Sequence, residues 1–260
     1  MRHLTLAARQ RERSRQAWIG LSLAFSLLAA WLVLHVWGVF FYEWTASSLL
    51  TAPLLAGVLC WLYVGLFIVA HDCMHGSLAP GQVRLNKWIG QLCLFLYAGF
   101  RFDQLNRKHH LHHRHAGTGE DPDYDERPPH GFLGWYVKFM FEYMTWRQLV
   151  FFPTVVVLYM HVLGAEMTNL LAFWTVPAIL SSLQLFTFGT YLPHKPGADR
   201  FTDRHRTRSS HFGWWVSLLT CFHFGYHHEH HDAPAVPWWR LPEARRAALA
   251  GGHDQPEAAL

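Results

Sequence analysis

The chain has 260 residues, of which 51% are hydrophobic and only 15% are charged, whereas a soluble domain has roughly 25% charged residues. This composition excludes an ordinary soluble domain and favours a single membrane-embedded domain over residues 1–260. The formal net charge of +4 suits contact with membrane lipid and with an acidic protein partner. Nucleic acid is not an expected partner of so embedded a chain.

Four apolar segments are predicted to span a bilayer, which takes about 20 residues per helix. The first follows an arginine-rich segment at 1–16 and is too long for the apolar part of a secretory signal, so we predict a retained anchor. The third is close to the lower length limit. The predicted fold is therefore an all-α integral membrane protein with spans at residues 17–42, 48–70, 148–163 and 169–192.

The distribution of lysine and arginine predicts the orientation of these spans. Basic residues are concentrated before the first span, after the second and after the fourth, and the connections around Glu43 and Glu166 contain none. By the positive-inside rule, both termini and both long loops are cytoplasmic.

Three shorter apolar segments are predicted to lie in the interface or to re-enter the membrane without crossing it. They cover residues 88–100, 132–146 and 214–222, and none is long enough for a span. Together with the histidine-rich loops they are expected to form a cytoplasmic cap. A polar, alanine-rich tail at 243–260 is predicted to be disordered.

Three histidine clusters carry the chemistry of the chain. The first pair has the spacing i, i+4, and the other two clusters read His-x-x-His-His, so that on a helix each cluster occupies one face. Eight imidazoles are too many for one ion and suit two ions of iron, copper, zinc or nickel. Loops rich in histidine also bind lipid headgroups, but three clusters on one side of the membrane favour a metal centre. The predicted ligands are His71, His75, His109, His112, His113, His227, His230 and His231.

A ninth ligand is predicted at His194, directly after the fourth span, because prolines on both sides fix its depth. His223 competes for this position, since it lies four residues before the third cluster. Metal-bound imidazoles usually donate their second N–H to a carboxylate or a carbonyl. Asp72 and Asp121 are the predicted acceptors. Other carboxylates close enough in sequence are Asp123, Glu229 and Asp232.

Motifs for nucleotide binding, serine-nucleophile hydrolysis and zinc-protease chemistry are absent from the sequence. Reducing equivalents for an oxidase must therefore come from a separate partner. The four cysteines show no paired spacing and indicate buried thiols in a reducing compartment. The predicted spans contain no Asp, Glu, Lys or Arg, which argues against a metal-ion transporter. A structural zinc scaffold stays open at this point.

The histidine clusters resemble those of the membrane di-iron desaturase–hydroxylase superfamily, and longer strings resemble the bacterial β-carotene ketolases. One small departure is Cys73, where alanine is expected. The resemblance runs from about residue 17 to 242. The strings are His-Asp-Cys-Met-His-Gly at 71–76, Gly-Thr-Gly-Glu-Asp-Pro-Asp at 117–123, Phe-Gly-Thr-Tyr-Leu-Pro-His at 188–194, Phe-Gly-Tyr-His-His-Glu-His-His at 224–231 and Pro-Trp-Trp-Arg-Leu-Pro at 237–242.

This resemblance implies two iron ions and dioxygen, with electrons from a donor such as ferredoxin and its reductase. It implies oxidation of C4 and C4′ of β-ionone rings by two successive hydroxylations and a dehydration. β-Carotene would give echinenone and canthaxanthin, and zeaxanthin would lead towards astaxanthin. It also implies the bacterial inner membrane, with a cytoplasmic active site. The alternatives are a carotenoid 3-hydroxylase or a lipid desaturase of the same superfamily.

Overall fold

The computed structural model describes residues 5–127, 131–197, 201 and 203–251, and within these residues the chain is helical and has no strand. The all-α prediction is thereby confirmed. A short 3₁₀ turn at Trp238–Arg240 precedes the last helix. The helices are α1 Leu6–Phe41, α2 Ser48–His75, α3 Val83–Ala98, α4 Phe102–His115, α5 Phe132–Tyr143, α6 Trp146–Val162, α7 Met167–His194, α8 Trp214–Cys221, α9 His227–Asp232 and α10 Leu241–Ala250.

Three helices, α1, α2 and α7, are long and apolar enough to cross a membrane. They cover the predicted spans at 48–70 and 169–192 and all but the last residue of the span at 17–42, and they fit the prediction of an integral membrane protein. The predicted span at 148–163 corresponds to α6, which is apolar but shorter than the other three helices. A fourth crossing stays a prediction.

α2 lies at the centre of the molecule and packs against α1, α3 and α7. Its side chains are apolar on all faces, which is typical of a helix surrounded by protein or lipid. Tyr63, Val64 and Leu66 are fully buried. At Gly65 a Cβ atom would come within 2.8 Å of the Phe222 ring, so only glycine lets the chain before α9 pack against this helix.

Two wide π turns interrupt α7, at Leu171–Thr175 and at Thr187–Tyr191. A proline follows each π turn by two residues. Because proline has no N–H, it cannot bond to the carbonyl four residues earlier, and that carbonyl lies inside the π turn. These prolines are Pro177 and Pro193. The second π turn ends three residues before His194 and so sets the direction of that side chain.

The basic start of α1 lies at the same end of the molecule as the histidine-bearing ends of α2 and α7. The Gln16 amide donates to the Ser77 carbonyl, which follows α2, at 2.7 Å. Arg240 forms an ion pair of 2.9 Å with Glu12. The first and last parts of the chain therefore meet beside the histidine clusters.

Two predicted segments differ in extent from the structure. The predicted interfacial segment at 132–146 is divided, because Thr145 caps α6 in a reciprocal capping box with Gln148 and α5 ends at Tyr143. Residues 243–250, predicted to be disordered, are helical in α10, where Arg245 forms a buried ion pair of 2.9 Å with Glu229. Residues 252–260 of the predicted tail lie outside the described residues.

Candidate metal centre

The first histidine pair lies on the last turn of α2, which ends directly after His75. Gly76 adopts a positive φ of 66°, and its N–H donates to the carbonyls of Asp72 and Cys73, as in a common left-handed helix end. His71 is 2% exposed. The long apolar helix thus delivers both imidazoles at its end, as the i, i+4 spacing predicts.

The second cluster lies on α4. Its three histidines face the histidines of the other two clusters, as the helical register predicts. After this helix the chain turns back at Gly117, whose φ is 66°. The Gly117 N–H donates to Asp121 Oδ2 at 2.9 Å, and the Asp123 N–H donates to Asp121 Oδ1 at 2.9 Å. This turn brings Asp121 back against the helix.

The third cluster lies on α9, a helix of only six residues. Glu229, between its histidines in sequence, points away from them and accepts from Arg245 of α10 at 2.9 Å and from the Ser209 hydroxyl. A helix this short has little stability of its own. Its position therefore depends on these tertiary contacts.

The structure brings the eight predicted cluster histidines and His194 together in two adjoining groups. Within each group, one candidate ligand atom per residue lies within 4.8 Å of all the others. The first group is His71, His75, His109, His113 and His230, and the second is His112, His194, His227 and His231. Their role as ligands stays a prediction.

Nε2 atoms of facing imidazoles approach each other closely, as expected around a metal ion. Two ligands at about 2.1 Å from one ion and at right angles to each other lie about 3.0 Å apart. The observed pairs fall around this separation. The Nε2–Nε2 distances are 2.7 Å for His75–His109, 3.0 Å for His113–His230, 3.2 Å for His112–His231, 3.1 Å for His194–His227 and 3.1 Å for His227–His231.

Hydrogen bonds at the opposite ring nitrogens assign the tautomers of two histidines. His112 Nδ1 donates to Asp121 Oδ1 at 2.9 Å, and His194 Nδ1 donates to the Arg206 carbonyl at 3.0 Å. Each Nε2 atom then carries a lone pair towards the cluster centre. Both nitrogens of His71 are buried and lack a hydrogen-bond partner among the described residues, an arrangement that a bound cation would satisfy.

Burial and mutual repulsion favour the neutral form of three extramembrane imidazoles. Burial, followed by the neighbouring histidines, lowers the pKa values of His109, His230 and His231 well below the usual value. At His112 burial also lowers the pKa, but the neighbouring Asp121 and Asp123 carboxylates more than offset burial and raise it. Neutral imidazole is the form that binds a metal ion. The donor set, its charge state and its geometry thus fit two closely spaced transition-metal ions.

The structure distinguishes the two candidates for the ninth position. His194 belongs to the second group. His223 belongs neither to these two groups nor to the third set of candidate ligands among the described residues, which is His112, Asp121 and Asp123. The sequence argument for His223 assumed a helix continuing back from His227. Phe222 and His223 instead have positive φ values of 49° and 63°, α9 begins at His227, and His223 Nδ1 lies 3.2 Å from the Ser217 hydroxyl.

The predicted carboxylates have separate partners. Asp121 contacts His112 as expected, but Asp72 lies 3.7 Å from His71 Nδ1, beyond hydrogen-bond distance, and accepts from the Trp238 N–H instead. Burial raises the pKa of Asp121, but His112, His194 and the Gly117 N–H together offset burial and lower the pKa of this carboxyl. Asp232 is exposed.

A cavity of 440 Å³ extends from the histidine cluster into the apolar interior, a volume in the usual range of about 300–1,000 Å³ for ligand pockets. Its wall is almost wholly apolar and includes Ile179 of α7, which is 53% exposed. The cavity therefore extends from α7 to the candidate metal centre. The histidines in its wall are His71, His109, His112 and His227.

Three contributions to the site were missed from the sequence. The Arg206 carbonyl orients His194, Arg245 anchors α9, and Tyr143 donates to the Asp123 carboxylate. No local pattern marks the first two. The Asp-Pro-Asp string was visible in the sequence, but only the position of α5 shows which group Asp123 meets.

Comparison with known proteins agrees with this geometry. Residues 43–149 and 141–257 match the fatty acid desaturase family. The chain is 51% identical over 229 residues to a β-carotene ketolase of Paracoccus sp. (strain PC1), covering 88% of this chain and 93% of the relative. It is 38% identical over 262 residues to β-carotene 4-ketolase 3 of Haematococcus lacustris, covering 89% of this chain and 80% of the relative.

A third relative is a zeaxanthin 4-ketolase of Chlamydomonas reinhardtii, with 40% identity over 251 residues, or 90% of this chain and 55% of the relative. The family match covers all three histidine clusters. The resemblance inferred from the sequence strings is confirmed. The chain belongs to the fatty acid desaturase family and, within it, to the β-carotene ketolases.

Proposed function

We propose that the protein is a carotenoid ketolase that oxidises C4 and C4′ of β-ionone rings. It converts β-carotene to echinenone and canthaxanthin, and zeaxanthin towards astaxanthin. The observation that carries this proposal is the apolar cavity, which is bounded in part by the apolar helix α7 and ends on four of the nine converging histidines. The names of the ketolase relatives supply the substrate class.

The nine histidines in the groups described above would hold two iron ions. Iron bound there would supply the activation of dioxygen; the overall reaction of each round puts one oxygen atom into a C4–H bond and releases the other as water, with two electrons and two protons consumed. Two rounds at one carbon give a geminal diol, which loses water to give the ketone. The irons are inferred from the donor set and the family.

The residues of the chain bind and orient. Asp121 and the Arg206 carbonyl fix the rings of His112 and His194, and such contacts usually govern metal affinity. The apolar cavity wall excludes water and confines the ring next to the histidines.

The proposed topology has four crossings, in α1, α2, α6 and α7, within a single domain over residues 1–260. The arginine-rich start of α1 lies at the histidine end of the molecule, and the positive-inside rule makes that end cytoplasmic. The protein then lies in the bacterial inner membrane among lipids. A cytoplasmic electron donor such as ferredoxin, with its reductase, reaches the centre from this side.

Expression in cells that accumulate β-carotene, with pigment analysis and iron measurement, tests the proposal. A 4-ketone is the expected product. A 3-hydroxy product would indicate a carotenoid 3-hydroxylase, and a new double bond would indicate a lipid desaturase. Protein that contains zinc and no iron would indicate a structural scaffold.

Alanine at any one of His71, His75, His109, His112, His113, His227, His230 or His231 is expected to abolish ketone formation. His110→Ala is the matched control, because this exposed neighbour lies outside both groups. Near-normal turnover in two or more of the eight variants would make the ligand set wrong.

A further inference from the structure

Asp123 is the one carboxylate in the cavity wall among the described residues. Its side chain is 12% exposed, and Oδ2 lies 3.8 Å from His112 Nδ1, beyond hydrogen-bond distance. The Tyr143 hydroxyl donates to Oδ1 of this carboxylate. No hydrogen bond to Oδ2 occurs among the described residues. A strong hydrogen-bond acceptor therefore remains available at the histidine end of an otherwise apolar cavity.

The surrounding contacts hold this carboxylate in place. The Asp123 N–H donates to Asp121 Oδ1 at 2.9 Å, and Trp135 Nε1 donates to the Asp123 carbonyl at 2.7 Å. Lys138 donates to the Pro122 carbonyl at 2.6 Å. The loop is thus tied both to α5 and to the carboxylate that orients His112. Asp123 makes no hydrogen bond to His112 among the described residues, so its Oδ2 atom is available for another role.

Two other hydroxyl groups of the cavity wall are already paired. Those of Tyr136 and Ser182 bond to each other at 2.6 Å. Asp123 lies in the cavity wall with its second carboxylate oxygen outside any described hydrogen bond, so this oxygen can accept a hydrogen bond from a bound molecule. β-Carotene, a hydrocarbon, has no donor to offer. The first oxidation creates one, because the 4-hydroxy ring carries an O–H group next to the histidine cluster.

Resting on the ketolase function proposed above, we propose that Asp123, oriented by Tyr143, binds the hydroxyl group made in the first oxidation and holds the ring for the second. The alcohol donates to Asp123 Oδ2, and charge-assisted bonds of this kind are stronger than neutral ones. This contact keeps the alcohol from leaving and turns the remaining C4–H bond towards the metal centre. Asp123 and Tyr143 thereby determine whether the enzyme stops at an alcohol or proceeds to a ketone.

The test measures the ratio of 4-hydroxy to 4-keto carotenoid in membranes of β-carotene-accumulating cells. Asp123→Ala removes the acceptor, and Tyr143→Phe keeps the carboxylate but removes its orienting donor. Both are expected to raise the ratio at least tenfold, a change equivalent to about 1.4 kcal/mol. Asp123→Asn keeps a hydrogen-bonding group of the same size and is expected to give an intermediate ratio. Asp125→Asn, on the same loop with its carboxylate on Arg127, is expected to keep the wild-type ratio.

Consumption of β-carotene and iron per chain are measured in the same preparations, so the first oxidation is the internal control. Supplied 4-hydroxy carotenoid is expected to show a raised KM in Asp123→Ala and in Tyr143→Phe, by a larger factor than the KM for β-carotene changes. If Asp123→Ala loses iron, the ratio of 4-hydroxy to 4-keto carotenoid in Tyr143→Phe tests the proposal by itself. An unchanged ratio in Tyr143→Phe, with total oxidation lowered or not, overturns the proposal. Absence of any C4 oxidation by the wild-type chain would instead refute the ketolase function itself.

Discussion

Replacing Arg245 with alanine is expected to destabilise the third histidine cluster. Arg245 and Glu229 are both buried, with side-chain exposures of 9% and 5%, and their ion pair of 2.9 Å connects α10 to α9. In Arg245→Ala the Glu229 carboxylate stays buried and keeps only the Ser209 hydroxyl as a described partner. Removing one member of a buried pair in this way costs about 3–5 kcal/mol.

The matched control is Arg240→Ala, at the start of the same C-terminal helix. Arg240 pairs with Glu12 at 2.9 Å, but the two side chains are 42% and 47% exposed. Exposed pairs of this kind contribute about 0.2–1 kcal/mol. The same chemical change at two nearby positions therefore separates the buried pair from a general effect of losing an arginine.

Thermal unfolding of purified protein in detergent, with iron retention measured in parallel, provides the assay. A loss of 3–5 kcal/mol corresponds to a fall in Tm of roughly 6–20 °C for a chain of this size, and loss of iron is expected at the same temperatures. The double variant Arg245→Met with Glu229→Gln removes both charges and is expected to recover much of the stability. If Arg245→Ala unfolds within 2–3 °C of Arg240→Ala (about 1 kcal/mol), the ion pair does not anchor α9.

Three further predictions concern the metal centre and the topology. His194→Ala is expected to lower iron per chain and canthaxanthin yield strongly, whereas His223→Ala is expected to lower canthaxanthin yield less. If His194→Ala kept full iron and His223→Ala lost it, His223 would be the ninth ligand. A reporter fused after Ala165 is expected to be external and one after Gly197 cytoplasmic, and the opposite result at either point contradicts four crossings. Asp121→Ala is expected to weaken iron retention against a chelator by about 10–100-fold, and unchanged retention would show that His112 needs no orienting partner.

Local patterns in the sequence were enough to predict the helical membrane fold and the histidine clusters. Hydropathy over about 20 residues depends only on neighbours in the chain, and three long apolar helices appear where it placed them. The i, i+3 and i+4 spacings likewise depend on helical geometry alone. The i, i+4 spacing agrees with the structure at two pairs, because His71 and His75 fall in the first group and His227 and His231 in the second.

Only the tertiary structure decided how these faces meet. His194 joins the cluster because π turns and Pro193 direct the end of α7 inwards, while His223 leaves it because two residues with positive φ end the preceding helix. Arg206, Tyr143 and Arg245 are far in sequence from the residues they hold. Their contacts arise from helix packing across the whole chain, and no spacing within one segment encodes that packing.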